Sequence, residues 1–143
     1  YSNNLLKRTI KTPKMYFFDT GLVGYLTRYS SPKILMNGAI NGAILENYVV
    51  SEIIKTYSNS AQDCLLHYYR DKNSNEIDLI MESDGQLHPI EIKKSINPPT
   101  QITGAFKLLD KASVPRGTGA IICLREKLSA IDSSTYIVPV WMI

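Results

Sequence analysis

An α/β fold, with a mixed sheet flanked by helices, is predicted by three patterns in this sequence. Residues 41–57 place apolar side chains at helical spacing. Residues 75–81 and 88–94 alternate apolar with polar side chains on either side of Asp84-Gly85, a dipeptide that strongly marks a two-residue hairpin. Residues 118–124 are continuous in apolar side chains, as suits a central strand buried on both faces. The resulting core order is helix, three strands, helix, strand, with a final strand added.

The chain opens on a basic stretch, Lys7, Arg8, Lys11 and Lys14. Met15–Phe18 reads as a short apolar strand, ending in a turn at Asp19-Thr20-Gly21 and then a short helix through Leu22, Tyr25 and Leu26. Ser30-Ser-Pro-Lys breaks that helix. Residues 1–40 thus read as an N-terminal connecting segment packed on a core domain of residues 41–143. In the helix from Asn41 to about Tyr57, Val49, Val50, Ile53, Ile54 and Tyr57 share one face, and Asn47, Ser51 and Lys55 lie away from it. Glu46 falls within the apolar face, three, four and seven residues before Val49, Val50 and Ile53, whereas Glu52 sits outside it. A carboxylate in a buried stripe is costly without a partner, so Glu46 is the acid this helix aims at the sheet.

Cys64–Arg70 is a strand, followed by the polar turn Asp71–Asn75. Glu76–Glu82 and Gln86–Lys94 form the hairpin, and Asn97-Pro-Pro-Thr stops it. Gln101–Lys111 reads as a helix with Ile102, Ala105, Phe106 and Leu109 turned inward. Thr118–Leu124 is the central strand. Tyr136–Met142 is the last, placed at an edge because Pro139 has no N–H for a ladder.

Composition narrows the function classes. The 143 residues suit one domain with a proper core, and 44% hydrophobic with 20% charged residues reads as globular. A net charge of +3 permits nucleic acid without demanding it. No apolar run approaches the roughly 20 residues of a membrane helix, and no signal peptide is visible. Cys64 and Cys123, far apart in apolar runs, read as buried thiols of a cytoplasmic protein. No G-x-x-x-x-G-K-[ST] occurs, which excludes a P-loop in these residues.

Chemistry concentrates in the hairpin. Ile90 and Ile92 point one way and Glu91 and Lys93 the other, while Glu76 and Asp78 lie opposite Ile77 and Leu79. A short hairpin brings Asp78 near Glu91, although spacing alone leaves the register open. Two close carboxylates repel unless a cation sits between them, and Mg²⁺ chooses such oxygens. Taken alone, Asp78, Glu91 and Lys93 read better as a cross-strand ion-pair cluster on a solvated sheet face than as a metal site. Glu46 and the order of the elements tip the balance toward a metal site.

That order, with Glu46, Asp78 and Glu91-Ile-Lys93, resembles the PD-(D/E)XK or restriction-endonuclease-like superfamily. More narrowly, the chain resembles the domain of unknown function found C-terminal to P-loop AAA-type ATPase domains in bacterial and archaeal proteins. The residues that carry this are Lys14-Met-Tyr-Phe-Phe-Asp-Thr-Gly-Leu, Ala43-Ile-Leu-Glu-Asn-Tyr-Val-Val, Tyr68-Tyr-Arg-Asp, Glu76-Ile-Asp-Leu-Ile and Pro89-Ile-Glu-Ile-Lys-Lys-Ser. The E-x-K pair is common in any sequence; the ordered set is more specific. Ile77 stands where the superfamily often has Pro.

The resemblance implies a restriction-endonuclease-like core and hydrolysis of DNA phosphodiesters with Mg²⁺ or Mn²⁺. Asp78, Glu91 and the carbonyl of Ile92 would hold the ion. Lys93 would position the attacking water and offset phosphate charge, and Glu46 would anchor a second metal or a metal-bound water. It also implies an ATPase domain elsewhere in a longer chain and allows pairing as a homodimer. The alternative is a non-catalytic nucleic-acid-binding or protein-interaction module of the same fold. Glu76 could support the ion at one remove, though pairing with a Lys is the plainer reading, and Arg70, at a strand end, could hold a phosphate. His67 and His88 read as rim or core residues, Tyr68 and Tyr69 as one surface and one core side chain, and Arg125-Glu-Lys as ordinary surface.

Overall fold

The computed structural model describes residues 13–29 and 31–143. Lys7, Arg8 and Lys11 of the basic stretch lie outside the described residues. Helix α1 spans Thr20–Leu26 and is capped by Asp19, whose carboxylate accepts the Leu22 N–H at 3.0 Å. Helix α2, Pro32–Asn37, forms where the sequence reads only as a break. The Ser31 hydroxyl accepts the Ile34 N–H at 3.4 Å, and Pro32 presets the first-turn backbone, so the breaking residues also start a helix. Helix α3 spans Asn41–Asn59, and α1 and α2 both contact it.

A six-stranded mixed sheet follows: β1 Leu65–Arg70, β2 Glu76–Ser83, β3 Gln86–Lys93, β4 Gly119–Cys123, β5 Ser129–Ala130 and β6 Thr135–Pro139. Its order is β1-β2-β3-β4-β6-β5. The β3–β4 and β4–β6 pairs are parallel and the others antiparallel. The hairpin closes at Ser83 opposite Gln86, with Asp84 and Gly85 at φ 51° and 71°. Both positive angles match the right-handed twist of the strands, and glycine reaches this region without strain.

Two apolar layers sandwich the sheet. Val49, Val50 and Ile53 of α3 pack on Leu79, Ile90, Ile92 and Ile122. Phe106 and Leu109 pack with Tyr69, Ile77 and Ile80. Phe106 lies so close to β4 that a Cβ at Gly119 would stand 2.8 Å from its ring, so a side chain there would displace it.

Several expectations are corrected. Asn47 and Ser51 do not lie away from the core; they are 7% and 1% exposed. Their polar groups are satisfied at short range: Ser51 donates to the Tyr48 carbonyl, and the Asn47 amide pairs with the main chain of Phe17. Phe17 donates its N–H to Asn47 Oδ1 at 2.6 Å and accepts from Nδ2 at 2.8 Å. That amide substitutes for a neighbouring strand, so Met15–Phe18 is irregular chain instead of the expected strand.

The expected helix 101–111 is a 3-10 helix over Thr100–Lys111. Gly104 and β-branched Thr100, Ile102 and Thr103 weaken the α preference, and the Thr103 hydroxyl donates to the carbonyl three residues back. Three residues per turn stack Phe106 over Leu109, while Ile102 and Ala105 are only half-buried. The last strand is not at the edge. Two-residue β5 covers Tyr136 and Ile137, and Pro139 ends the ladder opposite Cys123 beyond its reach. Cys64 is half-buried rather than buried; both cysteines are free thiols.

Candidate functional site

A bulge sets the site's geometry. The β1–β2 register runs through His67↔Ile80 and resumes at Tyr69↔Ile77, so Asp78 and Leu79 together face Tyr68. The slip sends Ile77 into the Phe106 layer and Leu79 into the α3 layer, so the expected side-by-side placement of those two residues fails here. On the other side of β2, Leu79 pairs with Ile90, and the next step along the hairpin brings Asp78 to Glu91. At that point the Ile92 N–H donates to Asp78 Oδ2 at 2.9 Å.

Lys93 bridges the two acids. Its ammonium lies 2.7 Å from Glu91 Oε2 and 3.1 Å from Asp78 Oδ2. The side chains of Glu91 and Asp78 are 6% and 13% exposed, against 35% for Lys93. Burial raises the Glu91 carboxyl to about 7, helped by the negative charge of Asp78 and opposed by Lys93. Burial works to lower the Lys93 ammonium, but the two carboxylates outweigh it and hold it above its usual range.

Glu46 stands in a second group. Its Oε1 accepts from the Lys14 ammonium at 3.0 Å and from the Tyr16 hydroxyl at 2.7 Å. Lys14 also lies 3.2 Å from Glu76 Oε1 and 5.3 Å above the Tyr68 ring. Arg70 reaches Glu76 only at 4.0 Å, from an exposed position. Glu76 therefore has the lysine partner that the sequence suggested, while Asp78 and Glu91 keep Lys93 for themselves. Tyr16 links the groups: burial first, then its bond to Glu46 and the charges of Glu46, Asp78 and Glu76, push its phenol far above the usual range.

Lys14 and Tyr16, which the sequence offers only as part of a basic stretch and of the N-terminal apolar segment, join Glu46 here. Their spacing of two was the available signal, since it puts both on one side of an extended chain and leaves Met15 facing solvent, 81% exposed. The remaining candidates take ordinary roles. His67 lies 3.3 Å from Glu82, and His88 Nδ1 sits 3.1 Å from the Thr118 carbonyl. Tyr69 is core and Tyr68 is half-buried beneath Lys14. Arg125 braces the loops through Ser129 and Asn97. Asp71, buried in the β1–β2 turn, accepts from the Asn73 and Asn75 N–H groups, and the Asn75 amide is first among the donors that hold its carboxyl below the usual range.

Asp78 and Glu91 are the carboxylates that could share a hard divalent ion, in the place that the Lys93 ammonium takes between them. Mg²⁺ is commonly held by one or two carboxylates and keeps several waters. Among the described residues no three His, Cys, Asp or Glu side chains converge into a metal-ligand group, so the protein would supply this pair and main-chain oxygen. No helix among the described residues is long and apolar enough to cross a membrane.

Comparison with known proteins places these residues in a family. Uncharacterised proteins of Mycobacterium tuberculosis and Mycobacterium bovis are each 30% identical to the chain over 107 residues, which is 75% of this chain and 23% of theirs. The chain thus spans less than a quarter of those relatives' length. No solved structure matches. The family described as a domain of unknown function, DUF4143, matches residues 41–143, the stretch that holds α3 and the whole sheet. With that match over most of its length, the chain belongs to the DUF4143 family.

Proposed function

We propose that the chain is a divalent-metal-dependent phosphodiesterase module acting on DNA, with a PD-(D/E)XK-type site on a restriction-endonuclease-like core. The observation that carries this reading is the single ammonium of Lys93 held between Asp78 and a buried Glu91 at a bulge. Bulges beside active sites re-aim side chains in this way. The order of elements supports it: a helix, three antiparallel strands, then a crossover to parallel β4.

Asp78, Glu91 and the Ile92 carbonyl would hold Mg²⁺ or Mn²⁺. Bound there, the ion supplies a water of lowered pKa and offsets charge on the phosphate. The Ile92 N–H of β3 ties down Asp78 of β2, so that carboxylate is held in place before any ligand arrives. Lys93 carries a positive charge on a flexible four-carbon stem, suited to hold the attacking water and the scissile phosphate. In this reading the module serves a longer cytoplasmic protein with an ATPase domain, and two copies pair where both strands are cut.

One observation favours a non-catalytic binding module instead. Lys93 already neutralises the acids, and among the described residues no buried side-chain polar atom lacks a partner. Thermal unfolding with Mn²⁺ separates the two. At free Mn²⁺ 100 times its Kd, the metal reading expects about 2.7 kcal/mol of added stability, abolished by Asp78→Ala. A binding module shows no rise with Mn²⁺ in either protein, and Asp78→Ala lowers its stability only by the loss of the Ile92 N–H and Lys93 contacts.

A further inference from the structure

We infer that this is a one-cation site, in which the ammonium of Lys14 takes the place that a second divalent ion would occupy between Glu46 and Glu76. The inference rests on the metal-dependent reading above and departs from the expectation that Glu46 anchors a second metal.

Two carboxylate pairs are each spanned by a lysine: Asp78 and Glu91 by Lys93, Glu46 and Glu76 by Lys14. They differ in what surrounds the ammonium. Lys93 is held by its two acids and sits on the same strand as Glu91, so its stem can swing aside while the backbone stays still. Lys14 is delivered by a segment anchored independently of its own charge. Asn47, buried in α3, clamps both the N–H and the carbonyl of Phe17, and Tyr16 donates to the same Glu46 oxygen that Lys14 uses. A metal on Glu46 Oε1 would have to displace both donors from that oxygen.

The chemistry of the position also selects an ammonium. One side of it is the ring of Tyr68, 5.3 Å from Nζ to centroid. A ring face attracts a lysine ammonium but offers no oxygen lone pair to Mg²⁺, which demands six oxygens at short range. Among the described residues no third acid joins either pair to form a metal-ligand group. Lys14 thus supplies fixed positive charge between Glu46 and Glu76 without the entry or loss of an ion.

Counting bound Mn²⁺ tests this directly, by isothermal titration calorimetry on the full chain, carried into millimolar metal, with the fold of each variant checked by circular dichroism. Wild type should bind one ion. Lys14→Met, which keeps the length and removes the charge, should admit a second, weaker one. Glu46→Gln should keep one ion with its affinity changed less than about threefold, because Glu46 is the partner of Lys14 and not of the metal. Two ions on wild type, one on Lys14→Met, or loss of the ion from Glu46→Gln would each overturn the inference while leaving the metal reading intact. No ion on wild type would overturn the metal reading and this inference with it. If Lys14→Met does not fold, the counts on wild type and Glu46→Gln decide.

Discussion

Lys93→Met should lower the unfolding free energy by about 2–3 kcal/mol at pH 8 and by much less at pH 5. Removing one member of a buried pair leaves the other charge uncompensated, which typically costs about 3–5 kcal/mol. Lys93 is 35% exposed, so solvent screens part of that loss and the expected figure is smaller. At pH 5 the Glu91 carboxyl, raised to about 7 by burial, is already protonated in the folded protein, so only the interaction with Asp78 remains to be lost. Urea unfolding of both proteins at the two pH values measures this. An equal loss at both would mean that Lys93 acts through packing of its stem.

Glu91→Gln should remove a pH dependence of stability on the order of 2–3 kcal/mol between pH 4.5 and 7. The folded protein holds the Glu91 proton up to about 7, whereas the unfolded chain releases it near 4.5. The folded state therefore binds more protons in this window, and stability falls as pH rises through it. Below 4.5 the cost vanishes; above 7 it is fully present. Burial is the main cause and the neighbouring charge of Asp78 adds to it, so the neutral amide escapes both. Lys93 does not contribute in this window, because its raised ammonium adds stability below 10.5 that is lost only as pH passes its folded value. Parallel slopes of stability against pH for wild type and Glu91→Gln would remove Glu91 as their source.

Much of the frame was legible because it depends on local patterns. Asp84-Gly85 marks the turn through the backbone angles those two residues favour, and the alternation around it marks both strands. The helical stripe of Val49, Val50 and Ile53 identifies α3, and the apolar run of Ile121, Ile122 and Cys123 identifies β4. What could not be read depends on two distant segments at once. The bulge at Asp78 exists only in the pairing of β2 with β1, and simple alternation misplaces Ile77 relative to Leu79. The same limit hid the clamp between Asn47 and Phe17, thirty residues apart, which buries an amide that the helical wheel turns outward. The juxtaposition of Asp78, Glu91 and Lys93 followed from the hairpin, while the engagement of Glu46 by Lys14 and Tyr16 needed the fold.

Cleavage of labelled single-stranded, duplex and branched DNA in Mg²⁺ or Mn²⁺ addresses the central claim, with wild type compared against Asp78→Ala and Lys93→Ala. The account predicts metal-dependent cleavage by wild type, reduced at least about 100-fold in each variant. Metal-dependent cleavage that survives both substitutions would contradict it, since hydrolysis would then arise elsewhere than at this bulge.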